Sequence, residues 1–175
     1  GEHNEVFHRL NNEFPISHGT TLRTYRLAVA ATGEYTAAAP ATTSPVNDAG
    51  SKGAALARMT VTMNRVNGIY VRELSVFMIL ATGTPGTSDT ATALIYTNAA
   101  TDPYLNTAAD LDANQANINT VVGTANYDIG HLFGTGGGGV AVLGSPCNAD
   151  TKAMGLTGSP NPTGDAFDVD FVAHE

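Results

Sequence analysis

From Leu22 onward the apolar and polar positions begin to alternate. Tyr25, Leu27, Val29 and Ala31 are interleaved with Arg23, Thr24, Arg26 and Ala28, and the second half is apolar on both faces. That pattern predicts a strand entering the middle of a sheet. Thr36 to Ser51 is a connection rich in Ala, Pro, Thr and Gly. Leu56, Met59, Met63, Val66 and Tyr70 then recur at three- and four-residue steps, which predicts a helix, with Asn67-Gly68 as its stop signal. Leu74 to Ala81 is a continuous apolar run and predicts a buried strand. Thr82 to Thr92 is a turn-rich loop, and Ala93 to Tyr96 a short strand.

Asp110 is the candidate cap of a second helix with Leu111, Ile118, Val122 and Ala125 on one face. Ile129 to Phe133 predicts a third strand, Gly134 to Gly139 a turn, Val140 to Leu143 a fourth strand and Lys152 to Leu156 a fifth. Pro160 and Pro162 mark a loop before a final helix, which Asp165 or Asp168 would cap. Strands alternating with helices imply an α/β sandwich, mostly parallel and joined by right-handed crossovers. The glycine turn implies that the Val140 strand runs antiparallel to its neighbour at a sheet edge. Residues 1–20 are polar, contain His3, His8 and His18 without metal-ligand spacing, and read as an arm: a propeptide remnant or linker before a domain at 21–175.

Composition narrows the partners. The 175 residues carry 16 acidic and 8 basic side chains, a net charge of −8. So few cations cannot track a phosphate backbone, which argues against nucleic acid, and the same sign disfavours anionic membranes. No apolar run approaches the ~18 residues of a membrane span. Only 14% of residues are charged, a composition that fits a secreted bacterial protein. Cys147 is the one cysteine.

Candidate chemistry gathers near residue 175. His174-Glu175 follows a short apolar stretch, as in the opening of H-E-x-x-H, where two histidines four apart share a helix face and hold zinc while the Glu acts as general base. At ~100° per residue, Phe167, Phe171 and His174 fall on nearly one helix face. Asp165, Asp168 and Asp170 cluster where the helix N-terminus favours negative charge. Gly134-Thr135-Gly136-Gly137-Gly138-Gly139 fits G-x-G-x-x-G, but a strand and not a helix follows it, so a flexible turn is the better reading than a phosphate cradle. His131, inside a strand, reads as a hydrogen-bonded core or surface residue.

The order of elements resembles the reprolysin-like metzincins, the adamalysin-related metalloproteases. Thr24 to Ala30 is similar to that family's first strand. Tyr127 to Gly134 and Gly139 to Cys147 resemble its third strand, edge strand and following cysteine, and Asp168 to Glu175 resembles the approach to its active-site helix. The resemblance covers Leu22 to Glu175. It implies the N-terminal subdomain of a secreted zinc metalloendopeptidase, cut inside the zinc motif, with a mixed, mostly parallel sheet, an antiparallel edge strand and two backing helices.

In that reading His174 is the first zinc ligand and Glu175 the base. Gly138, Gly139, Val140, Ala141, Val142 and Leu143 form the edge along which an extended protein or peptide substrate lies by strand addition. Cys147 is half of a disulfide whose partner is missing. With one histidine the chain itself is expected neither to hold zinc tightly nor to cleave peptides. The cut would expose apolar surface at Phe167 and Phe171 and favour self-association. The alternative is a non-enzymatic secreted α/β binding or adhesion module with a coincidental His-Glu.

Overall fold

The computed structural model describes residues 21–42, 49–81 and 92–175. The arm at 1–20, part of the Thr36–Ser51 connection and all but the last residue of the Thr82–Thr92 loop lie outside the described residues. β1 (Arg23–Ala31) is exposed at its start and buried from Leu27 onward. β2 (Val76–Leu80), β3 (Ile129–Gly134), β4 (Gly138–Ala141) and β5 (Gly155–Gly158) complete one sheet of order β2-β1-β3-β5-β4. All pairings are parallel except β4 with β5. Ala93–Tyr96 contributes only a parallel bridge, Ala31 to Ile95.

β1 divides the core because alternate side chains of a strand point to opposite faces. Leu27, Val29 and Ala31 pack with Met59, Met63 and Val66 of α2 (Lys52–Leu74). Ala28 and Ala30 pack with Ile118 of α3 (Leu111–Val121) and with Val122 on the opposite face. Two backing helices therefore sandwich the sheet, as the periodicity implied. A short α1 (Gly33–Ala38), capped by the Thr32 side chain, occupies the start of what reads in sequence as connection.

The Leu74 to Ala81 run is not a buried strand: Leu74 ends α2, and in β2 only Met78 is buried, with Phe77 and Ile79 exposed because β2 lies at a sheet edge. Four further local expectations change. First, α2 runs through Asn67-Gly68 and stops at Ser75, a left-handed cap at φ 54°. Asn67 does something else: its carboxamide accepts from Met78 N–H and donates to Met78 C=O, each at 2.8 Å. Met78 lies on the edge strand β2, so the amide satisfies main-chain groups that a further strand would otherwise pair. Asn67→Leu is expected to cost about 1–3 kcal/mol, since two buried backbone groups lose their partners. Urea unfolding measures the loss, and an unchanged midpoint would remove this role.

Second, Asp110 stands at the N-cap position of α3, as expected, but its side chain makes no cap hydrogen bond there. It closes a capping box with Thr107 one turn earlier, over the 3-10 turn Ala108–Asp110, and Ala125 lies past the helix in another such turn.

Third, the fifth strand is shifted to Gly155–Gly158. Ala153 N–H and C=O are taken by the side chains of Gln115 and Asn114. The Lys152 ammonium is held by the carbonyls of Thr124 and Tyr127. The ladder begins only where α3 stops competing for the backbone. β5 also inserts between β3 and β4, so the antiparallel edge strand pairs with β5 rather than with the strand before its turn.

Fourth, the final helix is wound wide. Ala166–Phe171 is π-helical, and Val172 N–H bonds Phe167 C=O at 2.9 Å. When bonds run from i to i+5, residues five apart fall on one side. Phe167 and Val172 are accordingly the buried pair, and Phe171 is 40% exposed. The shared face of Phe167, Phe171 and His174 does not form, because it assumed 3.6 residues per turn. Of the expected apolar exposure, Phe171 shows it and Phe167 does not.

Candidate active site

Three segments converge at the β4 end of the sheet. β4 is an edge strand among the described residues, with its outer side unpaired by β5. It spans Gly138–Ala141, two residues earlier than the Val140 to Leu143 strand the pattern predicted and shorter than the 138–143 edge the resemblance implied. Val142 still donates to Met154 C=O at 2.9 Å, whereas Leu143 is 97% exposed beyond the strand.

Glu175 reaches this edge. A Cβ at Gly139 would stand 2.5 Å from Glu175 Oε1, 2.7 Å from its Cγ and 2.9 Å from its Cδ. Such distances are forbidden to real side chains, so the carboxyl group rests where only glycine leaves room. His174 is exposed, with its amide and that of Glu175 both bonded to Phe171 C=O. The structure thus brings Glu175 to Gly139 but leaves the His174 ring in the open.

Between β4, α2 and the final segment lies a cavity of about 250 Å³, lined by Met63, Val66, Tyr70, His131, Val172 and Glu175 among others. His131 points into it from β3 and shares a 2.8 Å hydrogen bond between Nε2 and Thr157 Oγ1. Burial pushes its pKa down to about 4, so it is neutral at pH 7. Its role as a hydrogen-bonded core residue matches the sequence reading. Gly155 leaves space for its ring: a Cβ there would lie 2.9 Å from Nδ1.

Asp168 is the residue that sequence reasoning misplaced. It is fully buried and does not cap the helix. Its Oδ1 accepts from Arg58 Nη2 at 2.5 Å and Thr62 Oγ1 at 2.8 Å, and its Oδ2 from Arg65 Nη1 at 2.8 Å. Burial pulls its pKa up, but the hydrogen bonds from Arg58, Thr62 and Arg65 outweigh that and hold it below the usual carboxylate range. Arg65 also pairs with the exposed Asp165. The available signal was the spacing of Arg58, Thr62 and Arg65, one face of α2 by four- and three-residue steps.

The glycine turn is packed at Gly134 and Gly136 and open at Gly137 and Gly138. Asn106 Oδ1 accepts from the amides of Thr135 and Gly136, and a Cβ at Gly136 would meet Asn106 C=O at 2.1 Å. The cavity beneath it, about 20 Å³, has room for one water and not for a phosphate. Strand β4 follows it, so the dinucleotide reading stays excluded.

Cys147 is exposed and unpaired at φ 64°, with its amide on Asp128 C=O. No helix among the described residues is long and apolar enough to cross a membrane. Among the described residues no three His, Cys, Asp or Glu side chains group to hold a metal. These residues therefore do not by themselves fit a zinc ion, and His174 offers a single imidazole.

No curated protein matches the chain. A family model described as metallo-peptidase family M12B, reprolysin-like, matches residues 56–175, a span that holds α2 from Leu56 onward, the sheet apart from β1, and the Glu175–Gly139 contact. With that match over more than half its length, on a mixed sheet with an antiparallel edge strand, the chain belongs to the M12B reprolysin-like metallopeptidases.

Proposed function

We propose that residues 21–175 are the N-terminal part of the catalytic domain of a secreted bacterial zinc metalloendopeptidase, with 1–20 as an N-terminal arm, a propeptide remnant or linker. The observation that carries this reading is the Glu175 carboxyl group seated against Gly139 of an open antiparallel edge strand. An extended peptide adding to β4, with contacts continuing to Leu143, would place its main chain beside that carboxylate. Glu175 is then the general base, within reach of a proton released near the strand. His174 is one ligand of a zinc site whose remaining ligands lie elsewhere. Zinc, when bound, supplies Lewis-acid polarisation and an acidified water. Cys147, exposed on the loop after β4, is the half-cystine of this reading.

Two chains test the proposal. The 175-residue chain, dialysed against a mild chelator, is expected to retain no zinc and to leave a casein-derived peptide intact. The same chain carried on through the codons after Glu175 in its source gene is expected to hold one zinc and cleave that peptide. Stoichiometric zinc on the shorter chain, or no cleavage by a zinc-loaded longer one, would overturn it. The latter result would leave the binding module as the better account.

A further inference from the structure

The last residues of the chain are held from one side by α2 at two separate points. Asp168, at the middle of the π-wound segment, is clamped by Arg58, Thr62 and Arg65. Five residues on, Tyr70 Oη donates to Ala173 C=O at 2.6 Å. Ala173 immediately precedes His174-Glu175, and the hydroxyl of Tyr70 reaches it from beside the cavity. Between these points the backbone takes i to i+5 bonds, a winding that is rare and requires support from its surroundings. Phe167 and Val172, buried five apart, hold the same stretch against the core.

This arrangement has a geometric output. With both tethers made, the side chain that follows Ala173 by two residues lands on Gly139 and fills the space a Cβ would need. A slip of one residue in the winding, or release of the Ala173 carbonyl, would rotate Glu175 away from β4. The tethers make no hydrogen bond to Glu175 or to β4, although Tyr70 lines the same cavity as Glu175.

We infer that α2 is a template for the position of Glu175, and that Tyr70 and Thr62 are positioning residues acting on it through Ala173 and Asp168. The position is a property of the chain as it stands. Its meaning for catalysis rests on the function proposed above.

Amide NMR of the 175-residue chain separates the two. Tyr70→Phe removes only the hydroxyl on Ala173, and Thr62→Val one donor to Asp168 together with its weaker 3.2 Å contact to the Arg58 carbonyl within α2, so both are mild enough to fold. Each is expected to shift the amide resonances of Gly139 and Glu175 together. Loss of one tether should also speed hydrogen exchange at Val172, His174 and Glu175 by about tenfold, with β1 and β3 amides unchanged. Gly139→Ala, which displaces Glu175 directly, provides the reference spectrum of the displaced state.

Movement of the Gly139 and Glu175 resonances toward that reference in either variant supports the inference. Unmoved resonances in both overturn it, even if thermal stability falls, because a merely structural role would weaken the fold without relocating Glu175. The readout needs neither zinc nor cleavage, so it can fail while the protease reading stands, and the reverse.

Discussion

Replacing Asp168 by Ala is expected to destabilise the chain by about 3–5 kcal/mol, the typical cost of breaking a buried ion pair by removing one partner. Arg58 is the reason for placing the effect at the upper end. Its side chain is only 10% exposed, and its Nε already lacks a hydrogen-bond partner among the described residues. Without the carboxylate its charge would be left with no compensation in a low-dielectric site. Arg65, 39% exposed, can turn to water and contributes less. Such a loss is a large share of the ~5–15 kcal/mol by which domains are stable. Equilibrium urea unfolding of the two chains measures it. A cost below about 1 kcal/mol would mean that the cluster relaxes freely and that α2 does not hold the final segment.

Stability is also expected to fall by about 3 kcal/mol on acidification from pH 6.5 to pH 4, through His131 alone. The sign follows from the depressed folded-state pKa. Above its ordinary value of 6.5 the imidazole is neutral in both states, so the contribution is fully present. As the pH drops, the unfolded chain takes up a proton that the buried ring refuses until about pH 4. Unfolding is therefore favoured across that window. The other titratable side chains lining the same cavity are Tyr70 and Glu175.

Asp128, bonded by Arg26 Nη2 at 2.7 Å, and Asp168, bonded by Arg58 and Arg65, are both held low by these arginines, so their losses fall at lower pH, below the ordinary carboxylate range. His131→Gln keeps a group able to bond Thr157 and should flatten the profile between pH 6.5 and 4.5. A wild-type curve already flat in that window would show that the folded ring protonates normally.

Several parts of this architecture were legible because they depend on local pattern. The two-sided apolar second half of β1 predicted a central strand, and one strand pairs on each of its sides. Met59, Met63 and Val66 predicted a helix by their spacing, and they form its buried face. The antiparallel edge strand was legible from the tight glycine turn, but its partner was not. Nothing local to Gly155–Gly158 says that it will slide between β3 and β4. Asn67 and Asp168 were misread for a common reason. Asn beside Gly and Asp near a helix start are local signals of stops and caps, whereas here each bonds a different element, Asn67 the next strand at Met78 and Asp168 the distant helix residues Arg58 and Arg65.

The candidate site shows the same division. His174-Glu175 was visible as a motif fragment, and the edge strand as a glycine turn followed by apolar residues. That Glu175 rests on Gly139 was not visible, since it depends on how the preceding turn is wound. An α-helical turn and a π-helical turn are encoded by the same residues. Two long-range tethers to α2 and the burial of Phe167 with Val172 select between them. The sequence by itself determined β1, α2, α3 and β3 and the existence of the antiparallel edge strand, because side-chain periodicity and turn chemistry act over a few residues. Tertiary structure alone decided the strand order at β5, the covering of β2 by Asn67 and the direction of Glu175. Each depends on groups of separate elements meeting in space, Asn67 with Met78 by hydrogen bonds and Glu175 with Gly139 by close packing, and no local pattern records those pairings.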